Sequence, residues 1–135
     1  LYTKEKINLE QTKQQAINTQ ETELADLIVD AMQDIKGDQI VKLDLRNIKD
    51  APADFFIICE AESTVKINAI ANNINRRVKE ELNLKASHME GGPGAKWILL
   101  DYFSTLVHIF YPETRVFYDL EGLWSDRVTT TYDSI

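Results

Sequence analysis

Cysteine is nearly absent from the sequence, and so are long apolar runs. Cys59 is the one thiol in 135 residues, which excludes an internal disulfide and favours a reducing compartment. No apolar run approaches the roughly 20 residues that a membrane span needs. The stretch at residues 1–15, LYTKEKINLEQTKQQ, lacks the apolar core of a signal peptide. We therefore expect a cytoplasmic protein that makes no membrane contact.

Acidic side chains outnumber basic ones in this sequence. Fifteen Lys and Arg residues against 22 Asp and Glu residues give a formal net charge of −7, and residues 97–135 hold six acids and only two bases. Nucleic-acid binding usually depends on Lys and Arg that neutralise phosphates, so we expect little direct nucleic-acid contact. An acidic surface suits a basic protein partner, which complementary charge would steer into contact. The alternative is that the acidity only maintains solubility.

The chain is long enough for one domain with a proper core and too short for two. Hydrophobic residues make up 44% and charged residues 27%, which is ordinary globular composition. Residues 1–21 are polar and lack a sustained apolar stripe, so we predict a tail or a frayed helical lead-in there and a single domain over 22–135. An amphipathic pattern over 24–35 predicts a helix that Thr22 caps and Gly37 ends.

Two strands and a second helix are predicted next. Residues 39–45 alternate, as a half-buried strand does, whereas residues 55–60, FFIICE, are continuously apolar and predict a central strand covered on both faces. Ser63 is expected to cap the second helix, whose inward stripe comprises Ile67, Ile70, Ala71, Ile74, Val78 and Leu82. KASHMEGGPGAK, residues 85–96, then predicts a short strand followed by a flexible loop.

Residues 95–111, AKWILLDYFSTLVHIFY, predict a hairpin that is apolar on both faces. With Phe103 and Ser104 as a two-residue turn, Trp97 pairs with Phe110. One face is then an ordinary core face, formed by Ile98, Leu100, Tyr102, Val107 and Ile109. The other face also carries an acid and a histidine, and comprises Trp97, Leu99, Asp101, Leu106, His108 and Phe110.

After Pro112 the pattern predicts short helical turns anchored by Val116, Phe117, Leu120 and Trp124. The order of the predicted elements is helix, two strands, helix, two or three strands, then short helices. It favours an α/β fold with a mixed β-sheet flanked by helices.

No catalytic, metal or cofactor site is expected. EGGPGAK resembles a phosphate-binding loop, but Lys96 is followed by a strand rather than by a helix, whose N-terminus would meet the phosphate. Cys59 lies within the apolar strand, where a thiol is usually inert. His88, Glu90, Asp101 and His108 could in principle converge, but their spacing does not demand a metal site. Asp44 stands alone, without the second carboxylate that two-metal nucleotidyl transfer requires.

Six segments of the chain follow one another in a recognisable order: DFFIICEAEST (54–64), AIA (69–71), EG (90–91), WILLDY (97–102), VHIF (107–110) and TRVFYDLEGLW (114–124). In this order they resemble the ribosomal silencing factor family, also called Iojap-like. The resemblance covers about residues 22–126. It implies a nucleotidyltransferase-like mixed sheet without the catalytic carboxylates. The chain departs from the family pattern at Ala61, at Val65 and at Phe103-Ser104, where the family has a Gly-Asp turn.

The resemblance also implies a function and a set of contact residues. Family members bind the large ribosomal subunit through large-subunit protein fourteen and block joining of the small subunit, so that translation falls when nutrients are short. The partner-binding residues that it implies are Trp97, Leu99, Leu100, Asp101, Tyr102 and His108. Spacing alone favours Trp97 as a core residue, whereas the resemblance favours docking. The protein is expected to be a monomer or a homodimer.

Two alternatives remain from the sequence. A metal-dependent, nucleotidyltransferase-like enzyme would suit the fold, but the missing carboxylate pair argues against it. An RNA-binding adaptor would suit a ribosome-associated protein, but the net charge of −7 argues against it.

Overall fold

The computed structural model describes residues 4–124 and 128–135, which form helices on a mixed six-stranded sheet. The strand order is β3-β4-β5-β2-β1-β6. The elements are α1 (Lys4–Asp34), β1 (Asp38–Asp44), β2 (Phe55–Glu60), α2 (Thr64–Leu82), β3 (His88–Glu90), β4 (Trp97–Asp101), β5 (Thr105–Phe110), α3 (Pro112–Tyr118), α4 (Leu120–Leu123) and β6 (Val128–Tyr132). The predicted α/β class is confirmed.

The central pair of strands explains the continuous apolar run in the sequence. β2 is parallel to β5 and antiparallel to β1, and five of its six residues are buried. A strand with a neighbour on each side and layers on both faces has no solvent-facing position. Cys59 is fully buried in this strand, and burial raises the pKa of its thiol to about 12.

Helices α1 and α2 cover one face of the sheet and enclose the larger core. Ser63 caps α2 as predicted, because its hydroxyl accepts the Lys66 backbone N–H at 2.9 Å. Asn73 is buried between the helices and donates to the Ala31 carbonyl. The buried stripe of α2 contacts the same side of the sheet as Ile98, Leu100, Val107 and Ile109.

The opposite face of the sheet carries a smaller core over β5, β2 and β1. Its buried members are Leu43, Leu45, Phe56, Ile58 and Phe110. The segment between β1 and β2 and the C-terminal side chains of Leu120 and Trp124 pack against it. On this face, the packed side chains do not reach β3 or the far end of β4. The β3 side chains are exposed, and those of β4 that point to this face are half-buried.

The predicted hairpin register is confirmed. Trp97 pairs with Phe110, Leu99 with His108, and Tyr102 N donates to the Thr105 carbonyl at 2.9 Å. Phe103 has a φ of 67°, a conformation that favours glycine. Asp101 Oδ1 accepts the Phe103 N–H at 2.8 Å and so supports the turn.

Two local predictions are wrong, and one strand was missed. Thr22 does not cap a helix, because α1 already runs from Lys4 and the Thr22 hydroxyl donates to the Asn18 carbonyl within it. Val116 and Phe117 do not anchor α3 but are 79% and 80% exposed, since Arg115 takes the inward position on this short helix. β6, an edge strand paired with β1, was not predicted. The division into a lead-in over 1–21 and a domain over 22–135 stays a prediction.

Candidate partner-binding face

One part of the sheet is left uncovered on the side opposite the helices. We call the five side chains there the open face: His88, Glu90, Trp97, Leu99 and Asp101. His88 pairs with Asp101 and Glu90 pairs with Leu99, so all five project from the same side of β3 and β4. His88 and Glu90 are exposed, and the other three are half-buried. The open face therefore combines an indole, an aliphatic side chain, an imidazole and two acids.

Aromatic rings extend the open face towards α3. The Trp97 ring lies 4.9 Å from the Phe110 ring and 4.7 Å from the Tyr118 ring, measured between centroids. Phe117 packs edge-on against Tyr118 at 5.1 Å and is otherwise in solvent. A cavity of about 460 Å³ opens here, lined by Lys96, Trp97, Glu113, Thr114, Phe117 and Tyr118. We call it the aromatic cleft.

A hydrogen bond fixes the inner edge of the Trp97 indole. Trp97 Nε1 donates to His108 Nδ1 at 3.1 Å. His108 is 5% exposed, and its ring lies 4.8 Å from Phe56 and 6.0 Å from Phe110. Burial lowers the pKa of His108 to about 4, so the imidazole is neutral at ordinary pH and Nδ1 is free to accept.

Arg115 joins α3 and α4 to the end of the sheet through a set of hydrogen bonds that we call the Arg115 clasp. Its guanidinium donates to the Gln39 carbonyl at 2.8 Å, to Glu60 on β2 at 3.1 Å and to Glu121 on α4 at 3.1 Å. The side chain is only 9% exposed, so these contacts neutralise a charge that would otherwise be buried unpaired. The clasp holds α3 where Tyr118 meets Trp97.

The structure separates the residues that the family resemblance grouped together. Trp97, Leu99 and Asp101 lie on the open face, but Leu100 and Tyr102 project to the helix side and are buried. The Tyr102 hydroxyl donates to Asn75 on α2 at 2.6 Å. His108 is on the same side as Trp97 but beneath it. In this conformation the open face therefore presents Trp97, Leu99 and Asp101, and the other side of the sheet holds Leu100 and Tyr102.

The sequence patterns missed the part of the surface that α3 contributes. Glu113, Phe117 and Tyr118 line the aromatic cleft, and Phe117 is largely exposed. The signal was weak: Pro112 starts a helix of only seven residues, too short to show which side faces inward.

The residues considered for catalysis do not come together. Asp44 is on β1 and Asp101 on β4, three strand spacings apart across the sheet, or about 14 Å. Asp44 is paired with Arg46 at 2.7 Å, and this lowers the pKa of its carboxyl. Within residues 4–124 and 128–135, no three His, Cys, Asp or Glu side chains converge as metal ligands would. No helix of this part of the chain is long and apolar enough to cross a membrane.

Comparison with known proteins assigns the chain to a family. Residues 17–135 match the family model described as "Ribosomal silencing factor during starvation". The chain belongs to this family. The resemblance stated from the sequence is thereby confirmed.

Relatives support the same assignment in sequence and in fold. The ribosomal silencing factor RsfS of Halalkalibacterium halodurans is 35% identical over 113 residues, which cover 84% of this chain and 95% of that protein. The crystal structure of a protein from Chromobacterium violaceum is 30% identical, with a TM-score of 0.72, and the match covers 76% of this chain and 84% of that one. The mouse protein named "Mitochondrial assembly of ribosomal large subunit protein 1" is 33% identical over 79 residues, which cover 55% of this chain and 33% of that protein.

Proposed function

We propose that this silencing factor binds the large ribosomal subunit, through large-subunit protein fourteen, and blocks joining of the small subunit by occupying its docking surface. The open face and the aromatic cleft make the contact. The protein acts as a non-enzymatic repressor of translation under nutrient limitation. Family membership supports ribosome silencing, and the name of the mouse relative supports an association with the large subunit.

The single observation that carries the proposal is the half-buried Trp97 on an uncovered sheet face. Its ring continues into an exposed aromatic surface through Tyr118 and Phe117. Aromatic anchors in a concave surface, surrounded by polar groups, are the usual composition of an interaction hot spot. Asp101, Glu90 and Glu113 provide the negative rim that a basic ribosomal protein would complement.

The test is binding of purified large subunits, with subunit joining followed in parallel by light scattering. Trp97→Ala should weaken binding by about 2 kcal/mol, which is about thirtyfold, and should restore joining. Leu99→Lys changes a half-exposed side chain on the open face and tests the same surface with little risk to the core.

Val65→Ala is the matched control, because Val65 is an apolar side chain, 80% exposed, at the start of α2. It should bind as the wild type does. Folded Trp97→Ala and Leu99→Lys variants that bind and silence normally would remove the open face from the interface. Pull-down of purified protein fourteen alone then tests the specific partner.

A further inference from the structure

The hydrogen bond between Trp97 and His108 is an unusual use of a buried histidine. Because Nδ1 accepts from the indole, the ring proton of the neutral imidazole must be on Nε2. Nε2 is buried and has no hydrogen-bond partner within the part of the chain that the structure describes. An unsatisfied buried donor is destabilising, because it gives up its hydrogen bond to water and gains none in return.

An apolar side chain would serve this position better if only packing mattered. His108 lies among Phe56, Trp97 and Phe110, and of these rings only the Trp97 indole, through its N–H, uses a polar neighbour. Leucine would fill much of the same space and remove the orphan Nε2 donor, but it would also take the acceptor from the Trp97 indole N–H. The histidine therefore keeps one buried donor unsatisfied, and its one hydrogen bond goes to the ring that dominates the open face.

We propose that His108 is a positioning residue: through Nδ1 it holds the Trp97 indole in the orientation that a partner meets, and it does not touch the partner itself. This rests on the proposed docking function of Trp97. Phe110 and Tyr118 pack against the Trp97 ring, but its outer side faces solvent and the cleft, so these contacts alone leave it room to turn about its χ angles. The hydrogen bond removes that freedom before binding, so less entropy is lost when the partner docks. It also occupies the indole N–H, so the partner meets the ring as an apolar surface.

Two substitutions separate positioning from packing. His108→Leu removes the acceptor and the orphan donor, whereas His108→Asn places an amide oxygen close to the position of Nδ1 and keeps an acceptor. We expect His108→Leu to have an unfolding midpoint close to that of the wild type, because the loss of the orphan Nε2 donor offsets the loss of the indole hydrogen bond, yet to bind large subunits about tenfold more weakly. His108→Asn should bind within about threefold of the wild type.

A spectroscopic signature tests the geometry without the ribosome. The sequence has two tryptophans, Trp97 and Trp124, whose indole N–H signals are assigned by substituting each in turn. In the wild type the Trp97 indole proton should exchange slowly with solvent, in His108→Asn it should remain protected, and in His108→Leu it should exchange at least tenfold faster.

The outcomes are distinct. His108→Leu binding as tightly as the wild type, or folded Asn and Leu variants binding equally weakly, would overturn the positioning role. Trp97→Ala binding normally would instead remove the docking function of Trp97. In that case the indole exchange still decides whether His108 orients the ring, and unchanged exchange in His108→Leu would show that it does not.

Discussion

At the scale of single residues, the ionisation of His108 gives the fold a characteristic response to acid. Its pKa in the folded protein is about 4, lowered by burial from an ordinary value of 6.5. Between these two values the unfolded chain binds a proton that the folded chain does not, so stability falls as the pH drops from 6.5 to 4. The shift corresponds to about 3 kcal/mol.

We predict that His108→Asn will flatten this part of the stability curve. The measurement is the free energy of unfolding by urea at several pH values, compared between the variant and the wild type. Glu21 acts in the opposite direction, because burial and its hydrogen bond with Asp54 raise its pKa to about 6, and the stability it contributes is lost as the pH rises from 4.5 to 6. Since Glu21 is the same in both proteins, only the difference between the curves is diagnostic. Parallel curves would contradict the prediction.

Replacing Phe103 by glycine is expected to stabilise the fold. Phe103 adopts a φ of 67° in the hairpin turn and its side chain is 77% exposed, so it bears backbone strain and buries little surface. Phe103→Gly should raise the free energy of unfolding by about 1 kcal/mol, because glycine adopts this conformation without a steric penalty. Ser104→Gly is the control. Ser104 has no positive φ, so the added chain entropy should lower stability by about 0.5 kcal/mol. Equal effects of the two substitutions would argue against strain at Phe103.

At the scale of elements, the Arg115 clasp determines whether α3 and α4 stay on the sheet. Arg115→Met should cost about 2–3 kcal/mol, because Glu60 and Glu121 lose their partner while they remain partly buried. The cost should be below that of a fully buried pair, since water can still reach both carboxylates. Chemical denaturation measures the loss, and limited proteolysis within 112–124 should become faster.

Glu80→Gln is the control for the clasp. Glu80 is exposed and forms an ion pair with Arg76 along α2, and such exposed pairs contribute little. Its change in stability should remain below about 0.5 kcal/mol. A similar loss in both variants would mean that Arg115 contributes no more than a surface ion pair.

The loop between β3 and β4 depends on glycine at one position. Gly91 has a φ of +89°, and a Cβ there would lie 2.7 Å from the Trp97 carbonyl oxygen. Gly91→Ala should therefore lower stability by about 1–3 kcal/mol and displace the start of β4. Gly94 is the control, because its φ is also positive, at +85°, but no atom lies within 4 Å of a Cβ. Thermal unfolding of the two alanine variants isolates the steric contribution; equal losses would show that φ alone is responsible.

At the scale of the whole molecule, charge should govern how fast the protein meets the ribosome. Asp101→Asn keeps the acceptor for the Phe103 N–H and removes only the charge, and Glu113→Gln does the same at the rim of the aromatic cleft. Each should slow association modestly, and association of the wild type should slow as salt rises from about 50 to 300 mM, while dissociation changes less. Stopped-flow mixing with large subunits measures both rates.

Glu10→Gln is the matched control for the charge effect, because it removes the same charge from an exposed position on α1, whose C-terminal half packs on the other side of the sheet. It should leave association unchanged. If all three variants associate equally fast, and if salt has no effect, recognition depends on shape and apolar contact alone.

The sequence predicted the hairpin well because alternation and a turn of known length determine which side chains share a face. Alternation assigned Leu100 and Tyr102 to the core face, and both side chains are buried there; only the family resemblance added them to the partner-binding residues. The full length of α1 escaped prediction because residues 8–20 are exposed throughout and show no apolar stripe. β6 escaped because its threonines lie on an exposed edge, without the alternation that burial of one face imposes. The direction of Arg115 depends on contacts with Gln39, Glu60 and Glu121, distant in sequence, which no local pattern reports.

The burial of β2 on both faces has a consequence for the protein's native fluctuations. β2 is paired with β1 on one side and β5 on the other, and five of its six side chains are buried. A small local opening would therefore not expose the β2 backbone amides to solvent. Their hydrogen–deuterium exchange should therefore require global unfolding and report the full free energy of the fold. The amides of residues 8–20 lie in a helix whose side chains are exposed, and they should exchange many orders of magnitude faster.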